Sequence, residues 1–259
     1  MPTISKGLTV TNTPGVAVVI PMFNERAAAG RCVRDICESL DKVPTRTKLI
    51  VVDDGSVDGT GEILRRAAHT VPSLDVVTHS RNQGYGAALR SGVDLAVREG
   101  FDYVLFMDSD LTNSPSDIPR FYGEMLKGPD VIKATRYRRG GAMRGVPFWR
   151  QLVSRLGALV ARTLFRTGMS DCTNGFRAVR TDILARLRLH ETGFAIILEE
   201  LYCCIFLAHR FVELPVLLTN RGTGFRPSSF SYEPAVLWSY LKYALLACFR
   251  VQPKGGRIQ

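Results

Sequence analysis

The sequence predicts an α/β fold, in which helices flank a Rossmann-like, mostly parallel sheet. Apolar runs of strand length alternate with segments whose apolar residues recur at helical spacing, an order typical of right-handed β-α-β units. Two of the runs, Val16 to Pro21 and Leu49 to Val52, are continuously apolar, as expected for strands covered on both faces. With 259 residues, 46% of them hydrophobic, the chain is large enough for a single such domain.

The first half of the chain supplies strands and helices in strict alternation. We expect strands at Val16 to Pro21, Leu49 to Val52 and Leu74 to Thr78, with helices over Ala27 to Leu40, from Thr60 to about Ala68, and around Leu89 to Val97. Polar or glycine-containing turns follow the strands, at Met22 to Glu25, Asp53 to Thr60 and Asn82 to Gly86. The last of these turns partly matches a dinucleotide-binding fingerprint. Because Leu89 occupies its third small position, a redox Rossmann domain is disfavoured.

A fourth apolar run, Tyr103 to Met107, ends in two carboxylates, Asp108 and Asp110. We expect this strand to deliver both to the carboxyl edge of the sheet, where open α/β sheets bind ligands. Two nearby carboxylates repel each other unless a cation lies between them, and oxygen ligands suit Mg²⁺ or Mn²⁺ together with substrate phosphates. The pattern therefore predicts a metal held against a diphosphate. The alternative is a strand that ends in a solvated Asp-Ser-Asp turn.

The formal net charge of +10 is concentrated in one segment. Between Val131 and Ser170 there are nine Lys or Arg residues and no Asp or Glu, which indicates a polyanionic partner. We expect a fifth strand over Asp130 to Thr135, a mobile glycine-rich basic loop after it, and a helix over Pro147 to Arg166. That helix would have one apolar face, which includes Trp149, Leu152, Val153, Leu156 and Val160. Its flanks would carry Arg155, Arg162 and Arg166 on one side and Arg150 and Ser154 on the other.

The last third of the chain predicts three further elements. They are a turn at Asp171 to Arg177 that enters a short strand, a helix over Gly193 to Leu207 that carries Glu199 and Glu200, and a strand over Phe211 to Thr219 whose Pro215 suits a sheet edge. The six cysteines form no CxxC pair and indicate reduced core residues in a cytoplasmic protein. No apolar run reaches the roughly 20 residues that span a bilayer, although Ala235 to Phe249 could lie on one.

Several motifs together resemble the family 2 glycosyltransferases with the GT-A fold. They are Val19 to Glu25, Val51 to Thr60, Asn82-x-Gly84-x-Gly86 and the DXD motif Asp108-Ser109-Asp110. Later segments resemble the dolichyl or polyprenyl phosphate mannosyltransferase and glucosyltransferase branch: Ala134 to Tyr137, Arg150-x-x-x-Ser154-Arg155, Ser170 to Arg177, and Gly193-Phe194 followed by Glu199. One departure is Thr112, which stands where family members often have Gln. The resemblance implies a flexible tail at residues 1–14, a GT-A catalytic domain at 15–232 with a basic acceptor segment at 131–170, and an amphipathic helix with a basic tail at 233–259.

The resemblance also implies roles for individual residues. Contacts to the nucleotide sugar, GDP- or UDP-linked, would come from Pro21, Phe23, Glu25, Asp53, Asp54 and Gly84, and Asp108 and Asp110 would hold the metal and the diphosphate. The lipid phosphate would be bound by Arg136, Arg150, Ser154 and Arg221, and Arg177 would add a further substrate contact. Of these residues, Asp110, Arg136 and Arg150 are predicted to be catalytic.

The reaction predicted from these features is an inverting transfer of a hexose, mannose or glucose, onto a lipid phosphate. Such an acceptor is already ionised and needs cations rather than a general base. Transfer to a hydroxyl would instead need a base, for which Glu199 or Glu200 could serve. A third possibility is a non-catalytic protein that binds a nucleotide sugar or RNA. Because no RNA-binding signature is present, we expect no nucleic acid partner, but peripheral contact with an anionic membrane at its cytoplasmic face.

Overall fold

The computed structural model describes residues 13–146, 148–219 and 234–253, without the side chains of Arg150 and residues 234–237. The helices are α1 (Ala29–Leu40), α2 (Thr60–Thr70), α3 (Tyr85–Arg98), α4 (Ile118–Met125), α5 (Phe148–Phe165), α6 (Thr181–Leu184), α7 (Ile196–Cys204) and α8 (Pro234–Cys248). The strands are β1 (Val16–Met22), β2 (Thr47–Asp53), β3 (Leu74–Thr78), β4 (Tyr103–Phe106), β5 (Val131–Thr135), β6 (Ala142–Met143), β7 (Arg177–Arg180), β8 (Phe211–Pro215) and β9 (Leu217–Leu218). Of the predicted site residues, Arg221 and the side chain of Arg150 lie outside the described residues.

Seven strands form one sheet in the order β3-β2-β1-β4-β7-β5-β8. All pairs are parallel except those of β7, which runs antiparallel to β4 and β5. All seven residues of β1 are buried. Val16, Val18 and Ile20 join the core beside α1, whereas Ala17 and Val19 join the core on the α3 side. The apolar run of β1 is continuous because side chains alternate between two covered faces.

Two predictions about local structure are corrected. The predicted strand over 211–219 divides after Pro215 into β8, at the edge of the main sheet, and β9, which pairs with β6 in a separate two-stranded sheet. The basic loop predicted to be mobile therefore contains a strand, β6. Its partner lies more than 70 residues away, and no local pattern in the sequence reveals such a pairing. The short helix α4 was also not predicted.

Helices α5, α7 and α8 share a third apolar cluster, which includes Ala161, Leu198 and Ala244. Most of the predicted apolar face of α5 does not lie in this cluster, although Leu164 near its end packs against it. Five large side chains of that face are 40% to 55% exposed: Trp149, Leu152, Val153, Leu156 and Val160. The neighbouring Phe148 and Leu159 are 77% and 59% exposed. Among the described residues, no helix is both long enough and apolar enough to cross a membrane. All six cysteines are free, and their reduced state in the cell stays a prediction.

Candidate active site

The carboxyl ends of β1, β2 and β4 meet where the strand order reverses, since β2 lies on one side of β1 and β4 on the other. Ligands of open α/β sheets bind at such a switch point. Two of the loops there are joined by hydrogen bonds: the Asn24 amide donates to Ser56 Oγ at 2.9 Å, and the Glu25 amide donates to Thr60 Oγ1 at 2.8 Å. The loops after β1 and β2 thus form one continuous rim.

The residues predicted to contact the base and ribose lie on or beneath this rim. Pro21 is buried within β1, and Glu25 is 8% exposed. Asp53 is 2% exposed, and its Oδ1 accepts a hydrogen bond from the Ser56 amide at 3.0 Å. Phe23 is partly exposed. The structure therefore brings these residues together, and their contact with a nucleotide stays a prediction.

Asp54 has a different environment, in which its carboxylate organises the loop after β3. Its Oδ1 accepts from the Gln83 amide at 2.9 Å and lies 2.6 Å from His79 Nδ1, while its Oδ2 accepts from the Gly84 amide at 2.8 Å. The other ring nitrogen of His79, Nε2, lies 2.9 Å from Ser91 Oγ in α3. This geometry favours a positioning role for Asp54 over the predicted substrate contact. His79 was missed because a lone histidine carries no motif.

Asp108 and Asp110 follow β4 in a turn, because the strand ends at Phe106. The two carboxylates are therefore positioned by this turn and not by the alternation of side chains along a strand. Asp108 Oδ1 accepts a hydrogen bond from the Tyr85 hydroxyl at 3.0 Å, on the α3 side. Asp110 lies towards α1: burial raises the pKa of Cys32 in that helix, and the Asp110 carboxylate raises it further.

The buried Asp110 is held by a residue that departs from the family pattern. Its Oδ1 accepts from the amide of Thr112 at 3.1 Å and from the hydroxyl of Thr112 at 2.9 Å. Within the described part of the chain, no three His, Cys, Asp or Glu side chains gather to hold a metal ion by themselves. A pair of carboxylates fits Mg²⁺ or Mn²⁺, because such ions are commonly held by one or two carboxylates together with substrate phosphates and water.

Tyr85 is a site residue that the sequence reasoning did not single out, although it stands between the two glycines of a recognised motif. Burial raises its pKa well above the usual value, and the charge of Asp108 raises it further, so the phenol stays a neutral donor. Its ring lies 4.5 Å from that of Phe194, measured between centroids. Gly175 passes close by, since a Cβ on it would lie 3.4 Å from Asp108 Oδ2.

Gly175 belongs to the turn at residues 171–175, which also contacts Arg136, one of the predicted acceptor-binding residues. In this turn Asp171 is fully buried and forms a two-point ion pair with Arg136, with Nε to Oδ2 at 2.7 Å and Nη2 to Oδ1 at 2.9 Å. Burial raises the pKa of Asp171, but the charge and hydrogen bonds of Arg136 lower it by more, and the net pKa lies below the usual range. The turn thus joins Arg136 to the surroundings of Asp108.

Ser154 of α5 reaches the same region. Its hydroxyl lies 2.7 Å from that of Tyr137, the residue after Arg136. A second buried carboxylate, Glu213, anchors the turn from β8, because its Oε1 accepts from the amides of Ser170 and Asp171 at 2.6 and 3.0 Å. The predicted phosphate-binding residues Arg136 and Ser154 are therefore linked through Tyr137, a connection that their sequence separation did not show.

Arg177 is 1% exposed, and its guanidinium pairs with Glu200, with Nε to Oε1 at 2.6 Å and Nη2 to Oε2 at 2.7 Å. It also donates to the Gly175 carbonyl at 2.8 Å. The geometry favours a positioning role for Arg177, beneath Asp108 and Gly175, over the substrate contact that the sequence predicted. The predicted alternative in which Glu200 acts as a general base is not supported, because both oxygens bind Arg177.

The structure does not support Glu199 as a general base either. It is 4% exposed and accepts hydrogen bonds from the backbone amides of His190, at 3.0 Å, and Glu191, at 2.8 Å. Its carboxylate therefore holds the loop before α7. Fold and site together define a Rossmann-like α/β protein that has carboxylates at the switch point of its sheet and an arginine-bearing turn beside them.

Comparison with known proteins identifies this class more closely. The family model for glycosyl transferase family 2 matches residues 17–188. A polyprenol monophosphomannose synthase from Mycolicibacterium smegmatis is 30% identical over 220 residues, covering 83% of this chain and 82% of that protein. An undecaprenyl-phosphate mannosyltransferase from Micrococcus luteus is 29% identical over 212 residues, covering 81% and 85%. The chain belongs to glycosyltransferase family 2 and is a glycosyltransferase.

Solved structures agree with this assignment at the level of the fold. Glucosyl-3-phosphoglycerate synthase from Mycobacterium tuberculosis, in complex with Mn²⁺, uridine diphosphate and glucosyl-3-phosphoglycerate, matches with a TM-score of 0.66 at 20% identity. The match covers 94% of this chain and 82% of that one. The same synthase has also been crystallised with Mg²⁺ and uridine diphosphate. The predicted GT-A fold is confirmed.

Proposed function

We propose that this glycosyltransferase transfers a hexose, mannose or glucose, from a GDP- or UDP-linked donor to a polyprenyl or dolichyl phosphate, with inversion at the anomeric carbon. The observation that carries the proposal is the turn at residues 171–175. One end of this turn fixes Arg136 through Asp171, and Gly175 at the other end lies against Asp108. The turn thus links the arginine proposed for the acceptor phosphate to Asp108, which is proposed for the donor diphosphate. The names of the two relatives support the same acceptor class.

The proposed chemistry needs no general base. An oxygen of the ionised acceptor phosphate attacks the anomeric carbon, and the bond from that carbon to the donor diphosphate breaks with its electron pair. Arg136 would hold and orient the acceptor, since its guanidinium is fixed by Asp171 and charge-assisted contacts to phosphate are strong. Asp108 and Asp110 would hold Mg²⁺ or Mn²⁺, which when bound offsets the negative charge on the departing diphosphate.

Peripheral binding at the cytoplasmic face of a membrane is part of the proposal, because a polyprenyl acceptor lies in a bilayer. The exposed apolar residues of α5 support it, as does the absence of Asp and Glu from the whole of residues 131–170. A helix with exposed aromatic and aliphatic residues and flanking arginines suits an anionic lipid surface. Ser154, which contacts the hydroxyl of Tyr137, lies on this same helix.

The experiment is a transfer assay with two matched acceptors. The purified protein is incubated with Mn²⁺ or Mg²⁺, with GDP-mannose or UDP-glucose as donor, and with either undecaprenyl phosphate or undecaprenol. We expect a phosphodiester-linked β-sugar to form from an α-linked donor on the phosphate alone. Transfer to undecaprenol, or to a sugar hydroxyl but not to the phosphate, would refute the proposal. Nucleotide binding without transfer to any acceptor would favour a non-catalytic binding protein.

A further inference from the structure

The C-terminal helix α8 is joined to the active site by a loop, residues 190–194. The hydroxyl of Tyr240 donates to the carbonyl of Phe194 at 3.2 Å, and the hydroxyl of Tyr243 donates to the Glu191 carboxylate at 2.7 Å. Lys242 adds an ion pair with Glu191 at 3.6 Å. The family model ends at residue 188, so that all of these residues lie beyond it.

The other side of the same loop packs against the start of α3. The Gly86 amide donates to the Thr192 carbonyl at 2.7 Å, and Arg90 Nη1 donates to the Glu191 carbonyl at 2.5 Å. The two backbones approach so closely that a Cβ on Gly84 would lie 2.5 Å from the Thr192 oxygen. Only glycine fits at that distance, and its φ of 99° also favours glycine. Loop 190–194 is therefore clamped between α8 and the first turn of α3.

This first turn of α3 carries the residue that binds Asp108. The ring of Tyr85 packs against that of Phe194, and its hydroxyl donates to Asp108. Tyr240 lies close enough for charges on both sides of the site to act on it. Burial raises the pKa of Tyr240 and Asp108 raises it further, whereas Arg177 and Arg136 lower it. Charges on both the donor and the acceptor sides therefore act on the phenol of Tyr240.

We infer that Tyr240 and Tyr243 are positioning residues for Asp108, which act through loop 190–194 and Tyr85. The inference rests on the proposed function, in which Asp108 binds the donor diphosphate. It makes α8 a working part of the donor site rather than an appended helix. Trp238, two residues before Tyr240, is 62% exposed. The same helix thus presents a hydrophobic side chain to solvent and, through Tyr240 and Tyr243, positions the Asp108 carboxylate.

The test uses three tyrosine variants that each lose one hydroxyl and keep the ring. Tyr240→Phe and Tyr243→Phe each remove one hydroxyl contact with loop 190–194 and leave the Lys242–Glu191 ion pair in place. Tyr202→Phe is the matched control, because the Tyr202 hydroxyl donates to the Val251 carbonyl at 2.6 Å, outside the contacts with loop 190–194. The Tyr202 ring packs against that of Tyr243, with centroids 5.8 Å apart, and phenylalanine keeps this ring contact. Binding of GDP and UDP with Mn²⁺ is measured by calorimetry, and amide hydrogen exchange is followed over residues 83–90.

We expect Tyr240→Phe, which loses a neutral hydrogen bond, to weaken nucleotide binding by about 2- to 10-fold. Tyr243→Phe, which loses a hydrogen bond to a carboxylate, should weaken it at least as much. Both variants should also speed exchange at the Gly86 amide. Tyr202→Phe should change neither measurement, even where it lowers the Tm as much. Equal effects of all three variants, or unchanged exchange over 83–90 in Tyr240→Phe and Tyr243→Phe, would overturn the inference. Wild-type nucleotide binding in Asp108→Asn would contradict the proposed donor site separately, while the exchange data still decide the loop contacts.

Discussion

Arg136 and Asp171 form a two-point ion pair in which the carboxylate is fully buried and the arginine side chain is 12% exposed. The aspartate has no water to solvate it, so the arginine supplies the balancing charge. In turn, the paired oxygens hold the planar guanidinium in one orientation. The pair therefore fixes the guanidinium at the end of β5, where we propose that it orients the acceptor phosphate.

The first prediction concerns the stability that this pair supplies. Asp171→Asn should cost roughly 3 to 5 kcal/mol of unfolding free energy, because it leaves the charge of Arg136 poorly compensated. The native pKa of Asp171 is lowered, so its stabilising effect is present above its unfolded pKa of about 3.9 and is lost as the pH falls through the native value. In urea unfolding, the free energy of unfolding should therefore fall less between neutral and acidic pH in the variant than in the wild type. Asp182→Asn is the control, since the Arg180–Asp182 pair is exposed and should contribute about 1 kcal/mol at most. Equal losses in the two variants would contradict the prediction.

The second prediction tests the metal site. Asp110→Asn keeps an Oδ1 acceptor for Thr112 and should leave the fold intact, but it should abolish metal-dependent turnover. In thermal shift experiments, the rise in Tm caused by GDP or UDP with Mn²⁺ should disappear, because only a ligand that binds the native state raises the Tm. Metal-dependent turnover in this variant would show that the cation is held elsewhere.

The third prediction separates structural from catalytic roles for the two glutamates of α7. Glu200→Gln should lower the unfolding free energy by roughly 3 to 5 kcal/mol, because Arg177 loses its buried partner. Glu199→Gln should cost about 1.5 to 3 kcal/mol, the worth of hydrogen bonds to a charged acceptor. Neither change should remove a general base. A fall in kcat by roughly 10² to 10⁴ at unchanged Tm in either variant would instead indicate a hydroxyl acceptor.

The fourth prediction assigns the membrane contact to the apolar row of α5. Trp149→Ser and Leu156→Ser should weaken binding to anionic vesicles, because each side chain buried in the lipid contributes about 1.5 to 3 kcal/mol to the binding free energy. The Tm of these two variants should change little, since both side chains are about half exposed in the folded protein, at 53% and 55%. Reversing the charge of Arg155, Arg162 and Arg166 should remove the salt-sensitive part of the vesicle-binding free energy, roughly 1 kcal/mol per residue. Val57→Ser is the control, because this side chain is 88% exposed and lies in the loop between β2 and α2. Vesicle binding unaffected by both sets of changes would exclude α5 as the contact.

The fifth prediction concerns Lys133, a fully buried residue whose ammonium donates to the Asn174 carbonyl at 2.9 Å. Burial lowers its pKa from 10.5 to about 8, with a further lowering by Arg177. Between these values the unfolded chain binds more protons, so the contribution of Lys133 makes stability rise with pH, by about 3 kcal/mol in all. In urea unfolding, the free energy of unfolding should rise less from pH 8 to pH 10.5 for Lys133→Met than for the wild type. Parallel curves would mean that the lysine titrates normally.

Local patterns in the sequence predicted much of this molecule. Continuous apolar runs identified the central strands, and the helical spacing in Ala27 to Leu40 identified α1. The motif Asp108-Ser109-Asp110 indicated the carboxyl edge of the fourth strand. These predictions succeeded because a buried strand or an amphipathic helix is specified by residues within one or two turns of each other. The short strands β6 and β9 were missed because their pairing joins distant segments.

The sequence by itself determined the class of fold, the family and the residue types that the site would use. Only the tertiary structure decided which charges pair and which face outward. It joined Arg136 to Asp171, left Glu200 to neutralise Arg177, and tied Tyr240 of the last helix to Phe194, whose ring packs against that of Tyr85. It also turned the apolar face of α5 away from the core. The physical reason is that burial and ion pairing depend on segments that are distant in the chain, and a periodic pattern records that a face is apolar but not what covers it.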